Sequence, residues 1–431
     1  MRGGELLEYD LRKSHFRVER WYDLNMRLKR NDMCFDEAKE ALKKILFDAI
    51  SIRLRSDVKV GSCLSGGLDS SAIVCIVNKL LAGQGKAEKQ ETVSACFKEE
   101  GCNEERYVDT VANSVGITAH KVFPAFEDVL ARLDKVAWHQ DVPFYSTSIF
   151  AQWQVFEEAK KNGIAVMLDG QGADESLAGY DIFDSALIAE LFLSFRWKSL
   201  ARVLNQQWAK NNGRRANDLK RVLFLLIQSK AYVFLLKRYK AIARFVPKPA
   251  WRRPWFDFRG RERGLDGEYQ IIKTNIRNES LNQIVSTSLP MLLHFEDRNS
   301  MAHSVESRHP FIDFRMIELV LGLPSEFKLK DGRKKLVLRE AVRGLVPGDI
   351  LDRVDKMAFT TPEELWIRAH APVVRKEIEE ACDRLGTFVN RDNVLASFDY
   401  LMTSGEQFAH RFWPLISVGR WMKVFQMGAN R

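Results

Sequence analysis

From about residue 58 to residue 169, short apolar runs alternate with amphipathic helical ones. VKVGSCL precedes SSAIVCIVNKLL, TVSACF precedes EERYVDTVANSVG, HKVFP follows, and IAVMLD comes after SIFAQWQVFEEAKKNG. This alternation limits the fold more than any other feature. Strands that take turns with helices build an α/β domain, with a mostly parallel sheet and flanking helices. In such sheets ligands bind where loops leave the carboxyl ends of strands. The loops after VKVGSCL and after IAVMLD leave from such ends, so they are the first places to look for chemistry.

The rest of the chain is organised around this unit. ELLEYDL and HFRVERWYDL, within residues 1–22, alternate with period two like a terminal pair of strands. CFDEAKEALKKILFDAISIRL then repeats apolar residues at helical spacing. Residues 181–290 read as helical throughout, and 291–431 as further helices separated by loops such as GLPSEFKLKDG and FTTPEELW. The expected division is 1–32 as a terminal piece and linker, 33–180 as the α/β core, 181–290 as a helical insertion and 291–431 as a helical C-terminal region. A chain of 431 residues is long enough for two or three such parts, each with its own interior.

Charge is unevenly placed. The chain carries a net +9, yet residues 191–260 hold seventeen Lys/Arg against two Asp/Glu, a local +15, which leaves −6 for the remainder. Basic helices with Trp197, Trp208, Trp251 and Trp255 among them could meet nucleic acid or an anionic membrane surface. A solvated face or a contact for another domain is the plainer reading, and nucleic acid is not expected as a partner. The six cysteines show neither scaffold density nor CxxC pairs, which points to free thiols in a reducing compartment. MRGGELLEYDLRKSH lacks the apolar core of a signal peptide, and Lys230 cuts VLFLLIQSKAYVFLL well short of a membrane span. A cytoplasmic protein is expected.

Four stretches carry candidate chemistry. In GSCLSGGLDSS, Gly66 and Gly67 free the backbone for positive φ and close approach to a ligand, and the helix that follows adds partial positive charge. Ser65, Ser70 and Ser71 add donors. Asp69 would repel phosphate unless a cation sits between them, which asks for Mg²⁺. The alternative is an ordinary strand-turn-helix junction capped by Asp69 or Ser70. No GxxxxGK[ST] occurs, so this is not a Walker A loop. LDGQGADESLAGY, residues 168–180, sets Asp174 and Glu175 after a second strand. Two acidic Gly-rich loops suit Mg²⁺ and triphosphate held from two sides, and this reading is preferred to the plainer one in which the acids cap a helix. FEDRNSMAHSVESRHPFIDFRMIE, residues 295–318, is dense in charge, and on charge alone reads as a solvated helix face. In GRKKLVLREAVRGLVPGDILDRVDKMAFTTP, residues 332–362, Lys335 and Arg339 lie four apart and Lys356 follows in a loop. These cations could neutralise a leaving pyrophosphate or be surface charge.

SGGLDSS resembles the pyrophosphate-binding loop of the ATP pyrophosphatase group. Taken in order with LDGQGADE…AGY, DRNSMAHSVESRHPFID and LREA…DKMAFTTP, it resembles the synthetase half of glutamine-dependent asparagine synthetases over nearly the whole chain from residue 33. The resemblance implies that ATP and Mg²⁺ are used to adenylate a carboxylate, with aspartate giving β-aspartyl-AMP and pyrophosphate and ammonia then displacing AMP. It further implies a nucleotide site of Leu64, Ser65, Gly66, Gly67, Asp69, Ser70, Ala95, Asp169 and Gly170, metal carboxylates Asp69 and Asp174, and catalytic cations Lys335, Arg308 and Lys356. Relatives that close an amide in a larger substrate, as β-lactam synthetases and peptide-cyclising enzymes do, remain an alternative, as does an inactive scaffold.

Two departures matter. Gln171 stands where well-known family enzymes carry a Glu that is a candidate base, and an amide cannot take a proton. Glu175 or the substrate carboxylate would then have to serve. Arg2 occupies the place of the family's catalytic cysteine. The resemblance reads residues 1–32 as the end of an amidotransferase domain plus linker. The expectation is a truncated chain, or a synthetase half working with a separate amidotransferase domain or subunit and using free ammonia when alone. A homodimer is compatible with it.

Overall fold

The computed structural model describes residues 1, 3–83, 90–210, 255–256, 275–353, 359–408 and 410–427. Its centre is a five-stranded sheet, flanked by helices, in which every pairing is parallel. After a terminal antiparallel hairpin, β1 (Glu5–Asp10) and β2 (His15–Arg20), the sheet takes β3 (Val60–Cys63), β4 (Glu91–Ala95), β5 (Thr118–Val122), β6 (Val166–Leu168) and β7 (Glu306–Arg308). The order across the sheet is β5-β4-β3-β6-β7. The chain runs outward from β3 to β5 and then returns to place β6 against β3. That reversal is the switch point at which α/β sheets open a crevice.

The strands are short and the inner three, β3, β4 and β6, are largely buried, so side-chain alternation decides which face each residue serves. On β6, Val166 and Leu168 join the core formed with helices Phe35–Arg53, Leu68–Gly83 and Glu105–Val115, whereas Met167 between them faces helix Ser148–Lys161 through Val155 and Phe156. Helix Phe35–Arg53 starts where the main-chain N–H of Cys34 donates to Glu37 Oε2 at 2.8 Å, and it buries Leu42, Leu46 and Ile50 at helical spacing. A second apolar core lies among Phe126–Gln140, Ser148–Lys161 and the C-terminal helices Ala371–Leu385, Arg391–Thr403 and Trp413–Val424.

The C-terminal region departs from the all-helical reading. It returns β7 to the sheet and forms a small hairpin from Leu329–Lys330 and Arg333–Lys334. Glu-Ser-Arg gives no apolar alternation, because an edge strand of three residues is held by main-chain bonds to β6 and not by its side chains. Within 181–290, Ile182–Leu193, Trp197–Lys210 and Ile276–Val285 are helices, and most of the basic stretch lies outside the described residues. Trp255 is not an exposed stacking platform. Its ring stacks on Phe412 at 5.2 Å and its Nε1 donates to Ser397 Oγ at 3.0 Å. All six cysteines are free, and no helix among the described residues is long and apolar enough to cross a membrane.

One buried cation gives a test of this packing. Lys328 is fully buried, and its Nζ donates to Val320 O at 3.1 Å, near the end of helix Phe314–Gly322. Burial pushes the amine down from 10.5 to about 8. Between those pH values the unfolded state holds more protons than the folded one, so this group makes stability rise with pH. Measured against Lys328→Met by urea denaturation, the wild type should gain on the order of 3 kcal/mol across that window. A pH-independent difference would mean that the amine is hydrated.

Candidate active site

Because β3 and β6 are hydrogen-bonded neighbours, the loops that follow them lie side by side, and a cavity of about 460 Å³ opens between them. Leu64, Ser65, Gly67, Asp69 and Ser70 line it from the first loop, Ala95 from the end of β4, and Asp169, Gly170 and Asp174 from the second loop. These residues span more than a hundred positions of sequence, and the strand order brings them together.

The first loop is held open by its own hydroxyls. Ser65 and Ser70 Oγ lie 3.1 Å apart, the Ser65 N–H donates to Ser70 Oγ at 3.2 Å, and the Gly67 N–H to Ser65 Oγ at 3.3 Å. Gly66 does not line the cavity but shapes it. It has φ +71°, and a Cβ there would fall 2.5 Å from Tyr107 Cβ. Helix Leu68–Gly83 begins at once, so its positive end faces the same space.

Lys335 gives the site its electrostatic centre. Only 1% exposed, its Nζ lies 2.5 Å from Asp69 Oδ2 and 2.6 Å from Asp174 Oδ1. Surface charge is thereby excluded for this residue. Its backbone adopts φ +56°, a conformation that costs a side-chain-bearing residue free energy and that clusters at functional positions. Arg339 is buried too, but it is spent on main-chain carbonyls, donating to Lys334 O at 2.9 Å and Leu351 O at 2.5 Å. Two carboxylates from separate loops converging on one point are the donor set that Mg²⁺ uses when phosphate and water supply its other ligands. The residues therefore fit the metal. No group of three or more His, Cys, Asp or Glu side chains forms a fuller cage among the described residues.

The remaining candidates fall elsewhere. Glu175 is buried behind the cavity wall, accepting from Tyr180 OH at 2.8 Å and Ser288 Oγ at 2.9 Å, and it is these two partners that line the cavity. Burial raises its carboxyl despite those bonds. Arg308 is not brought to the cavity. Its guanidinium donates to Arg53 O at 2.7 Å and Arg55 O at 2.9 Å, and it pairs with Glu306 on the outer side of β7. Only its carbonyl reaches the second loop, accepting from the Asp169 N–H at 3.0 Å. Lys356 lies outside the described residues.

The third stretch, which charge alone reads as a solvated face, is a buried polar layer. On helix Ser288–Ala302, Glu296, Asn299 and Ser300 are fully buried. Gln140 Nε2 donates to Asn299 Oδ1 at 2.6 Å, Asn299 Nδ2 to Ile149 O at 2.9 Å, and Gln152 Nε2 to Glu296 Oε2 at 3.1 Å. Glu296 also accepts from Ser307 Oγ and from the Gln171 side chain, and meets Asp169. A signal was present. The face that carries Leu289, Leu292 and Phe295 at helical spacing continues through Glu296 and Asn299, so periodicity buries what composition would expose.

A family model described as asparagine synthase matches residues 41–423. The chain is 26% identical over 405 residues to asparagine synthetase [glutamine-hydrolyzing] 1 of Bacillus subtilis (strain 168), covering 90% of this chain and 60% of that protein. It is 25% identical over 434 residues to asparagine synthetase [glutamine-hydrolyzing] 3 of the same strain, covering 94% and 63%. It is also 26% identical over 364 residues to amidase chyE of Penicillium rubens, covering 77% and 53%. The chain thus spans between half and two thirds of the length of these curated relatives. With a matching model over most of its length, the chain belongs to the asparagine synthase family.

Proposed function

We propose that this chain is an ATP-dependent amide-forming ligase that adenylates the side-chain carboxylate of aspartate and passes the acyl group to ammonia, releasing AMP and pyrophosphate. The observation that carries the reading is the convergence of Asp69, Asp174 and Lys335 where two glycine-rich loops leave adjacent strands. Adenylation asks little acid-base chemistry of a protein. It needs an in-line approach of carboxylate to α-phosphorus and compensation of the charge on departing pyrophosphate.

In this reading the loop of Ser65, Gly66, Gly67 and Ser70 receives the β and γ phosphates, whose oxygens would take over the N–H groups now bonded to serine hydroxyls. Leu64, Ala95, Asp169 and Gly170 border the nucleoside. Mg²⁺, held by Asp69 and Asp174, would supply charge neutralisation along the triphosphate. Lys335 keeps the two carboxylates facing each other and, with Lys356, offers positive charge to the leaving group. The relatives' printed name, glutamine-hydrolyzing, supports a glutaminase domain or subunit as the ammonia source. A cytoplasmic setting fits the substrates.

The test is pyrophosphate release by the purified chain with ATP, Mg²⁺ and aspartate, and asparagine formation once ammonia is added. Asp69→Ala should reduce both at least about a hundredfold through lost charge stabilisation. Absence of aspartate-dependent pyrophosphate release from the wild type would defeat the reading. The relatives named amidases make closure of an amide in a larger substrate the second reading, and release that neither needs nor responds to ammonia would favour it.

A further inference from the structure

We propose that Asp169, backed by Glu296, is the catalytic proton acceptor for the nitrogen nucleophile, a task that the amide of Gln171 cannot perform. The inference rests on the ligase reading above and adds to it the group that completes the second half-reaction. Asp169 lines the cavity directly, whereas Glu296 lies fully buried behind it. The Asp169 main chain is fixed by its bond to Arg308 O, and its Oδ1 accepts from the Gly170 N–H. Its carboxyl also meets Cys63 of β3 and Glu296 of helix Ser288–Ala302.

Two ionised carboxylates are acceptors only, so Asp169 and Glu296 can bond to each other only through a proton held between them. The groups around the pair favour that sharing. Gln171 and Gln152 donate amide N–H groups to Glu296, Ser307 donates its hydroxyl, and His309 Nδ1 lies 3.6 Å from Glu296 Oε1. Burial keeps His309 toward its neutral form against the charge of Asp169, with Arg53 also opposing its charge and Asp297 favouring it, and any charge on His309 in turn favours ionised Asp169. A glutamate at position 171 would set a third carboxylate against this pair. Glutamine there and an acid pair behind it therefore make a consistent set.

Burial, then the charge of Glu296, pushes Asp169 up to about 7. Such a group is ionised enough at neutral pH to accept a proton and acidic enough to return it. In the step itself, nitrogen attacks the acyl carbon of the adenylate, the C–N bond forms, and the C–O bond to AMP breaks with its electron pair leaving on phosphate. The proton shed by nitrogen passes to the Asp169 carboxylate, is held against Glu296, and returns to water through the cavity.

The experiment compares wild type and Asp169→Asn in the ratio of asparagine formed to pyrophosphate released, with ATP, Mg²⁺, aspartate and ammonia. The ratio should fall about 10²- to 10³-fold as the adenylate goes to water, and the rise in amide formation through about pH 7, expressed per free-base ammonia, should vanish. Both reactions are run at saturating ATP, because Asp169 also borders the nucleoside; an unchanged ratio and pH profile overturns the proposal, as does a folded variant that releases no pyrophosphate even at saturating ATP, since Asp169 would then act in the first step. Independently of activity, ¹³C NMR of labelled aspartate should show a carboxyl titrating near pH 7 that is absent in Asp169→Asn and moves to lower pH in Glu296→Gln. A titration that stays in place in Glu296→Gln overturns the pairing. If the wild type releases no pyrophosphate with aspartate, the ligase reading falls, and the NMR result still judges the pair.

Discussion

Lys335→Met should lower stability by about 3–5 kcal/mol, the cost typical of removing one partner from a buried ion pair. Methionine preserves the volume and most of the packing of the lysine stem, so the loss isolates charge. Asp69 and Asp174 each lie within 2.6 Å of the Lys335 ammonium. Without it, two carboxylates from different loops repel each other across the same gap. Urea denaturation monitored by tryptophan fluorescence would read the change. Because both carboxylates face one point, Mg²⁺ should restore more stability to the variant than it adds to the wild type. A variant as stable as wild type would show that the two carboxylates are already compensated from elsewhere.

Gly179→Ala should reduce pyrophosphate release at least about a hundredfold while costing only about 1–3 kcal/mol of stability, the usual range for overpacking a tight interior. A Cβ at this position would stand 1.7 Å from Asp174 Oδ1 and 2.5 Å from Lys335 Cε. The carboxylate is a side-chain end and can swing away, so the fold survives the substitution. The geometry of the charge cluster does not. Asp174 would leave the point it shares with Asp69, and a 1 Å displacement of such a group is enough to cost two orders of magnitude in rate. Near-normal activity in this variant would remove Asp174 from the site.

How much of this was legible in advance depends on what kind of signal each residue leaves. The alternation of VKVGSCL, TVSACF, HKVFP and IAVMLD with helical runs identified four strands; the inner three are legible because buried parallel strands must be apolar, and the edge strand β5 by its place in the alternation. Glu306–Arg308 left no such trace, since a polar edge strand is defined by its neighbour's main chain. The two loops could be read from glycines and acids. Lys335 could be read only through family resemblance, because a lone lysine in a basic run looks like solvated charge until burial is known. Arg308 fits the family motif, yet its side chain turns away to the carbonyls of Arg53 and Arg55. Glu296 was the opposite case, hidden in a charged stretch although the helical spacing of its neighbours placed it inward.

The ion pair between Lys335 and Asp69 joins residues 266 positions apart. During synthesis the first loop and its helix leave the ribosome long before Lys335 exists outside it. Until then Asp69 and Asp174 have no Lys335 ammonium between them, and the nascent chain cannot assemble the finished charge cluster. On the proposed function, competence to bind ATP would therefore arrive late, after residue 335 has docked, and a protein truncated before that point should carry both glycine-rich loops and fail to retain ATP.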